Sequence, residues 1–256
     1  MDKRVLALLV GAAVFLWAVR APATQLPRVV AGVPFVLDYL RGMWPPDFGI
    51  LPRLAVPLRE TVQMAVTGIC LSSAIAVPLS FLAARETSPA GAAYAAARGL
   101  IGFARAVPTL LWAILFVSMV GLGPLAGVFA ITMHCIGSLG KHFSESIEAM
   151  HPRVVDVLEA MCVDGATSTQ ALFYGLVPAL TPLFLGYIIY YFEWALRTST
   201  ILGLVGAGGL GLQLTTTIRL FKRRETAAVV LLILGMVALA DLGSRVIRHR
   251  VLKQTV

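Results

Sequence analysis

Charge is scarce in this chain. Asp, Glu, Lys and Arg together make up 13% of its 256 residues, about half the roughly 25% usual in soluble domains. Hydrophobic residues reach 58% and mean hydropathy is +0.85. That balance excludes a soluble globular fold and implies an integral membrane protein, all-α, with about six spans. Cysteine is equally sparse. Cys70, Cys135 and Cys162 are scattered in or near apolar segments, which leaves no paired zinc spacing and no disulfide framework, so packing is their default role. The phosphate-binding pattern GxxxxGK[ST] is absent, so the chain is not expected to hydrolyse ATP itself. No metal-ligand spacing and no nucleophile–base pair stands out. An intramembrane enzyme would need clustered carboxylates or histidines in its spans, and these spans nearly lack them. A secondary transporter would need internal repeats with paired broken helices, whereas only one glycine-rich break occurs. Both remain as alternatives to the reading developed below.

Long charge-free runs dominate what is present. A helix needs about 20 apolar residues to cross a hydrocarbon core of roughly 30 Å. Residues 61–84 contain no Asp, Glu, Lys or Arg and give one span. Residues 106–140 are also free of charge but too long for one helix, and Gly121-Leu122-Gly123-Pro124 divides them in two. The first of that pair is expected to start near Arg98. A fourth span lies within 165–192 and begins near Pro178, and a fifth covers about 225–247. Pro78, Pro108 and Pro182 lie in or at the ends of spans, where neighbouring helices satisfy the freed backbone groups. Gly68, Ser72, Ser73 and Ala76 permit close helix contacts.

The N-terminal segment has two readings. A basic start, an apolar run over Val5–Val19 and Ala21-Pro22-Ala23 together resemble a signal peptide. The expectation adopted is a short first span that is retained. A stretch rich in Pro and Arg follows, in which Trp17 and Trp44 are candidate interface anchors. Residues 50–60, with Arg53 and Arg59, suggest a helix lying on the membrane surface. The chain thus divides into residues 1–60, an N-terminal span and extracytoplasmic segment, and residues 61–250, the main membrane domain.

Glu159 to Pro178 form a polar, partly acidic island between apolar runs. Val154, Leu158, Met161, Cys162 and Gly165 fall on one helical face, with Asp156 and Glu159 opposite. Such a helix, held between spans, suits docking into a groove on a soluble partner; an ordinary amphipathic loop helix is the alternative. The spacing resembles the EAA loop of ABC-importer permeases. Glu159-Ala160-Met161, Gly165 and Gly175-Leu176-Val177-Pro178 match it in spacing, while Met161, Gly175 and Val177 depart in identity. The coupling loop so implied covers about 144–175, with Glu159, Ala160, Met161, Asp164, Gly165 and Pro178 as its coupling residues.

A second dense signal follows. Gly206-Ala207-Gly208-Gly209-Leu210-Gly211 matches a dinucleotide fingerprint as a pattern, but that motif needs a βαβ unit and a following acidic residue. Apolar membrane surroundings favour a glycine-rich break where backbone approaches a neighbouring chain or lines a cavity. Glu193 and Arg197, four apart on one helix, can pair; they read either as a gate in the pathway or as a surface pair. His134, near Ser138, is a candidate for touching an anion, with packing as the alternative. His142 and His151 read as loop residues near the cytoplasmic surface.

Taken together, Arg105-Ala106-Val107-Pro108, Val120-Gly121-Leu122-Gly123-Pro124 with Ala126-Gly127-Val128, and His134 through Lys141 resemble phosphonate-type ABC permeases. Glu145, Glu148, the Glu193/Arg197 segment and the GAGGLG run add to the resemblance, which extends from about Trp44 to Arg248. It implies a type I ABC importer permease moving phosphonate, phosphite or hypophosphite. It implies cytoplasmic ATPase subunits holding ATP and Mg, a periplasmic substrate-binding protein, and a second copy or a homologous permease. No cofactor in this chain and no nucleic-acid partner is expected, and contact with membrane lipid is. The gate or pathway candidates are His134, Ser138, Glu193, Arg197, Gly206, Gly208, Gly209 and Gly211. The implied location is the bacterial inner membrane, with both termini cytoplasmic. In that orientation Arg219, Lys222, Arg223 and Arg224 face the periplasm, against the positive-inside tendency.

Overall fold

Apolar sequence with little β-branched alternation and proline at several helix starts builds helices, and no strand occurs among the described residues. A computed structural model describes residues 3–23, 25–85, 87–163 and 172–253. The chain divides into two units, Met1–Pro46 and Asp47–Val256. The first contains α1 (Lys3–Ala23) and α2 (Leu26–Gly42), the latter continuing through Pro34. The stretch rich in Pro and Arg is therefore helical from Leu26 to Gly42. Proline at its second position costs no hydrogen bond, because the first turn's N–H groups have no intrahelical partner.

The second unit contains α3 (Leu51–Leu82), α4 (Gly91–Ala106), α5 (Thr109–Val120) and α6 (Pro124–Val163). It continues with α7 (Val177–Leu202), α8 (Gly209–Arg219) and α9 (Arg223–Lys253). Residues 50–60 are not a separate surface helix. Ile50 closes a 3-10 turn and 51–60 are the opening turns of α3, where Leu54 is fully buried in a cluster with Leu210, Ala228 and Val229. Packing against α8 and α9 continues the helix upstream of the charge-free window.

Among the described residues three helices are long and apolar enough to cross a membrane: Phe48–Leu82, Tyr174–Val205 and Arg223–Arg248. A fourth crossing is possible if α4 and α5, bent by 89° at Val107-Pro108, act as one span. The expected count was about six. Two of the expected six fall short: α1, with a shorter apolar stretch over Gly11–Arg20, and α6, whose apolar part runs only to Gly140 and carries Thr132, His134 and Ser138. The shortfall of α6 has a reason in its packing. This helix is the central one, covered by α3, α4, α5 and α7. Ile131, Cys135, Leu139, Phe143 and Ile147 on it are nearly or fully buried, so protein rather than lipid solvates it.

The breaks fall where glycine and proline put them. Gly121 and Gly123 have φ of 87° and 140° between α5 and α6, which side chains rarely tolerate. Chain direction then fixes two ends of the bundle. Asp47, Pro124, the 203–208 turn and Arg224 lie toward one end, where Asp47 N–H donates to Arg224 O and Gly123 N–H to Gly206 O. Ala83–Arg85, Arg98 and Glu148 lie at the other, where Arg98 pairs with Glu148 and Arg85 N–H donates to the same carboxylate.

Candidate functional site

The GAGGLG segment runs from the turn after α7 into α8, whose first three residues are Gly209, Leu210 and Gly211. Gly203–Val205 close a single 3-10 turn, and Gly208 and Gly209 follow with φ of 79° and 67°. The first N–H groups of α8 find partners on α3: Gly209 N donates to Glu60 Oε2 at 3.1 Å, and Leu210 N to Thr61 Oγ1 at 2.9 Å. A carboxylate and a hydroxyl thus occupy the positive end of α8, the usual placement for an N-terminal cap. The close backbone approach is made within this chain, where the sequence suggested a neighbouring one: a Cβ on Gly211 would lie 1.9 Å from Thr200 O of α7. No βαβ unit surrounds the glycines among the described residues, so the dinucleotide pattern lacks its required context.

Glu60 and Thr61 escaped the sequence reading. The available signal was position: Glu60 is the last charge before the charge-free run 61–84. A lone carboxylate at that border, inside a helix, needs a donor, and the α8 N-terminus supplies it.

Glu193 and Arg197 pair on α7 at 2.8 Å. Glu193 is 8% exposed, whereas half of the Arg197 side chain is open. A buried carboxylate in an apolar bundle is thereby neutralised by a partner at the bundle surface. His134 stacks on Trp194, with ring centres 4.8 Å apart and planes 18° apart, and its Nε2 lies 3.4 Å from Ser138 Oγ. Nδ1 of His134 is buried without a partner among the described residues. The structure therefore brings His134 and Ser138 of α6 against α7, beside Glu193 in sequence. Gly206, Gly208, Gly209 and Gly211 gather separately, beyond the end of α7.

The opposite end of the bundle carries a linkage with no sequence-assigned role. Arg98 on α4 bonds Glu148 Oε1 at 2.6 Å and Ala83 O at 2.8 Å, and Arg85 N donates to the same Glu148 oxygen at 3.3 Å. The guanidinium of Arg98 lies 5.4 Å from the centre of the Tyr94 ring. These contacts tie Ala83, Arg85 and α4 to the part of α6 that runs on toward Glu159. Glu159, Ala160 and Met161 lie in the last turns of α6, and Pro178 is exposed at the second position of α7. Asp164 and Gly165 lie outside the described residues. His142 is not a loop residue: α6 continues through it, its ring stacks 5.0 Å from Tyr187, and its Nε2 meets Tyr191 Oη at 3.1 Å. The backbone at His151 is likewise helical. Continued helix here reflects packing against α7, which the polar sequence around Lys141 concealed.

Comparison with known proteins agrees with this architecture. The family described as binding-protein-dependent transport system inner membrane component matches residues 76–253. The phosphite transport system permease protein PtxC of Stutzerimonas stutzeri is 37% identical over 217 residues, covering 85% of this chain and 78% of PtxC. The phosphate-import permease protein PhnE of Mycolicibacterium smegmatis is 37% identical over 235 residues, 91% of this chain but 43% of that longer protein. An inward-facing structure of the MetNI methionine ABC transporter superposes with a TM-score of 0.67 at 19% identity, covering 80% of this chain and 99% of that one. That likeness shows the fold, the type I ABC importer permease arrangement. The family match over most of the membrane domain, on a helical bundle of this form, places the chain among the binding-protein-dependent transport system inner membrane components: it is an ABC transporter permease, a transport subunit rather than an enzyme.

Proposed function

We propose that this permease carries a phosphorus oxyanion, phosphite or a phosphonate in the first place, into the cytoplasm. The observation that carries the reading is the 37% identity to PtxC across most of both chains. PhnE, at the same identity, is named for phosphate import, so inorganic phosphate is the competitor to test. The partners are a pair of cytoplasmic ATPase subunits that hold ATP and Mg, a periplasmic binding protein, and a second permease, identical or homologous. Both termini face the cytoplasm, as does the segment around 144–175.

Coupling follows from the chain's own geometry. A push on the 144–175 segment acts directly on α6, the central helix, and through Arg98–Glu148 on Ala83, Arg85 and α4. Packed helices with discrete contacts switch as rigid bodies rather than bending continuously. The glycine turn and its Glu60 cap hold the far end, where α3, α6, α7 and α8 meet. ATP binding in the partner thereby reaches both ends of the pathway. The test is growth of a strain without its own phosphite and phosphonate importers, supplied with this chain, its ATPase and its binding protein. Growth on phosphite or methylphosphonate as sole phosphorus source is expected. Growth on neither, with the complex assembled in the membrane, would remove the substrate assignment.

A further inference from the structure

Two clefts flank α7, and their linings differ in kind. One, of ≈ 320 Å³, is lined by Val66, Ile69, Cys70, Ile188, Phe192 and further aliphatic residues, with Ser244 as its one hydroxyl, which suits lipid tails or packing. The other, of ≈ 460 Å³, has an apolar wall of Pro182, Leu183 and Gly186 and also presents His142, Tyr187, Tyr190, Tyr191 and Arg248; these last five are its polar or aromatic groups. Those five residues come from α6, α7 and α9, and the sequence alone gives none of them a binding role.

Their chemistry is that of an anion site. Nε of Arg248 is buried and has no hydrogen-bond partner among the described residues. An unpaired guanidinium N–H is costly to leave dry and is the donor best matched to a phosphorus oxyanion. The three tyrosines and the imidazole add neutral polar groups. The Tyr191 hydroxyl is already oriented by His142 Nε2 at 3.1 Å, and the imidazole is held by stacking on Tyr187. The nearby carboxylate, Glu145, is engaged by Lys141 at 3.4 Å. One cation among neutral donors gives a weak site, which is what a conducting pathway needs: strong enough to enter, weak enough to leave. The cleft volume falls within the range of about 300–1,000 Å³ typical of small-molecule sites.

The geometry points to this cleft as a binding site for a tetrahedral phosphorus oxyanion, anchored by Arg248 with Tyr191 and His142 as neutral partners. The inference deepens the substrate reading above and rests on it for the identity of the natural ion. A free oxyanion and a phospholipid headgroup share the chemistry, and the test separates them.

The full permease–ATPase complex is purified in a maltoside, which contains no phosphorus, and equilibrium binding of labelled phosphite and of inorganic phosphate is measured without the binding protein. Saturable binding is expected for the wild type. In Arg248→Gln it should weaken roughly ten- to a hundredfold, the loss of one charge-assisted hydrogen bond. Tyr191→Phe should weaken it less. Arg248→Lys should restore part of it, and all three variants should retain the ATPase on purification. Phosphatidylglycerol is then added: displacement of the free ions, with phospholipid retained by the wild type and lost from Arg248→Gln, identifies a headgroup as occupant. No oxyanion or headgroup binding, or binding unchanged in Arg248→Gln, overturns the site. Growth on phosphite with unaltered binding in the variants would sink the site and leave the substrate reading standing. Oxyanion binding in the complex without growth on any phosphorus oxyanion would do the reverse.

Discussion

Alanine at Gly211 tests whether the glycine-rich turn is a point of enforced backbone contact. Its Cβ would lie 1.9 Å from Thr200 O, 2.8 Å from Thr200 C and 2.9 Å from Gly203 Cα. All three obstacles are backbone, so no rotamer change relieves them. Thr200 O would have to retreat by roughly 1.5 Å to reach ordinary contact distance. Overpacking of this kind costs about 1–3 kcal/mol, and rigid backbone on both sides puts this case at the upper end. Alanine returns up to about 1 kcal/mol of helix propensity, leaving a net loss of about 2 kcal/mol. By the scale of domains this size, that lowers the melting midpoint by about 4–8 °C. Gly243→Ala in α9 is the control, because nothing lies within 4 Å of its added Cβ. Tryptophan fluorescence melts of both variants in detergent, with size-exclusion profiles, provide the comparison. If Gly211→Ala melts with the wild type, the close approach between α8 and α7 is not what holds the turn.

Three other outcomes are expected. Arg98→Lys keeps the charge but loses the fork that reaches both Glu148 and Ala83 O, so it should cost about 1 kcal/mol in stability and reduce uptake relative to ATP hydrolysis; unchanged coupling would leave the linkage purely structural. Replacing Gly165 with Asp, or Glu159 with Lys, should abolish uptake and weaken ATPase copurification at normal membrane levels, and wild-type uptake in both would remove the docking assignment. Single cysteines at Arg219 or Lys222, in a background without Cys70, Cys135 and Cys162, should react with an impermeant thiol reagent once the outer membrane is permeabilised. Labelling that appears only after the inner membrane opens would invert the topology.

The sequence made the helix breaks legible because glycine and proline act locally. Gly121-Leu122-Gly123-Pro124 ends α5 and starts α6, and α7 begins at Val177, beside the expected Pro178. The Glu193–Arg197 pairing was equally readable from four-residue spacing. Long-range contacts were not. Glu60 caps a helix that begins 149 residues later, and no local pattern reports that distance. Charge-free windows also missed the true extents of α3 and α6. Leu54 is covered by α8 and α9, and α6 by four other helices, so burial in protein extends these helices beyond their hydrophobic stretches. His142 shows the same effect: its polar neighbours suggested a loop, while stacking on Tyr187 keeps it helical. The coupling-loop expectation rests on the polar island, its apolar helical face and the EAA-like spacing, and Asp164 and Gly165, which carry part of it, lie outside the described residues.

Transport by the assembled system in sealed vesicles is the most direct test of the account. The chain, its ATPase and its binding protein are reconstituted, and labelled phosphite and methylphosphonate are followed with and without ATP and Mg. Accumulation of a phosphorus oxyanion that requires ATP, Mg and the binding protein together is the predicted result. Accumulation driven by an ion gradient without ATP, or ATP-driven transport of an unrelated solute with every phosphorus oxyanion excluded, would contradict it.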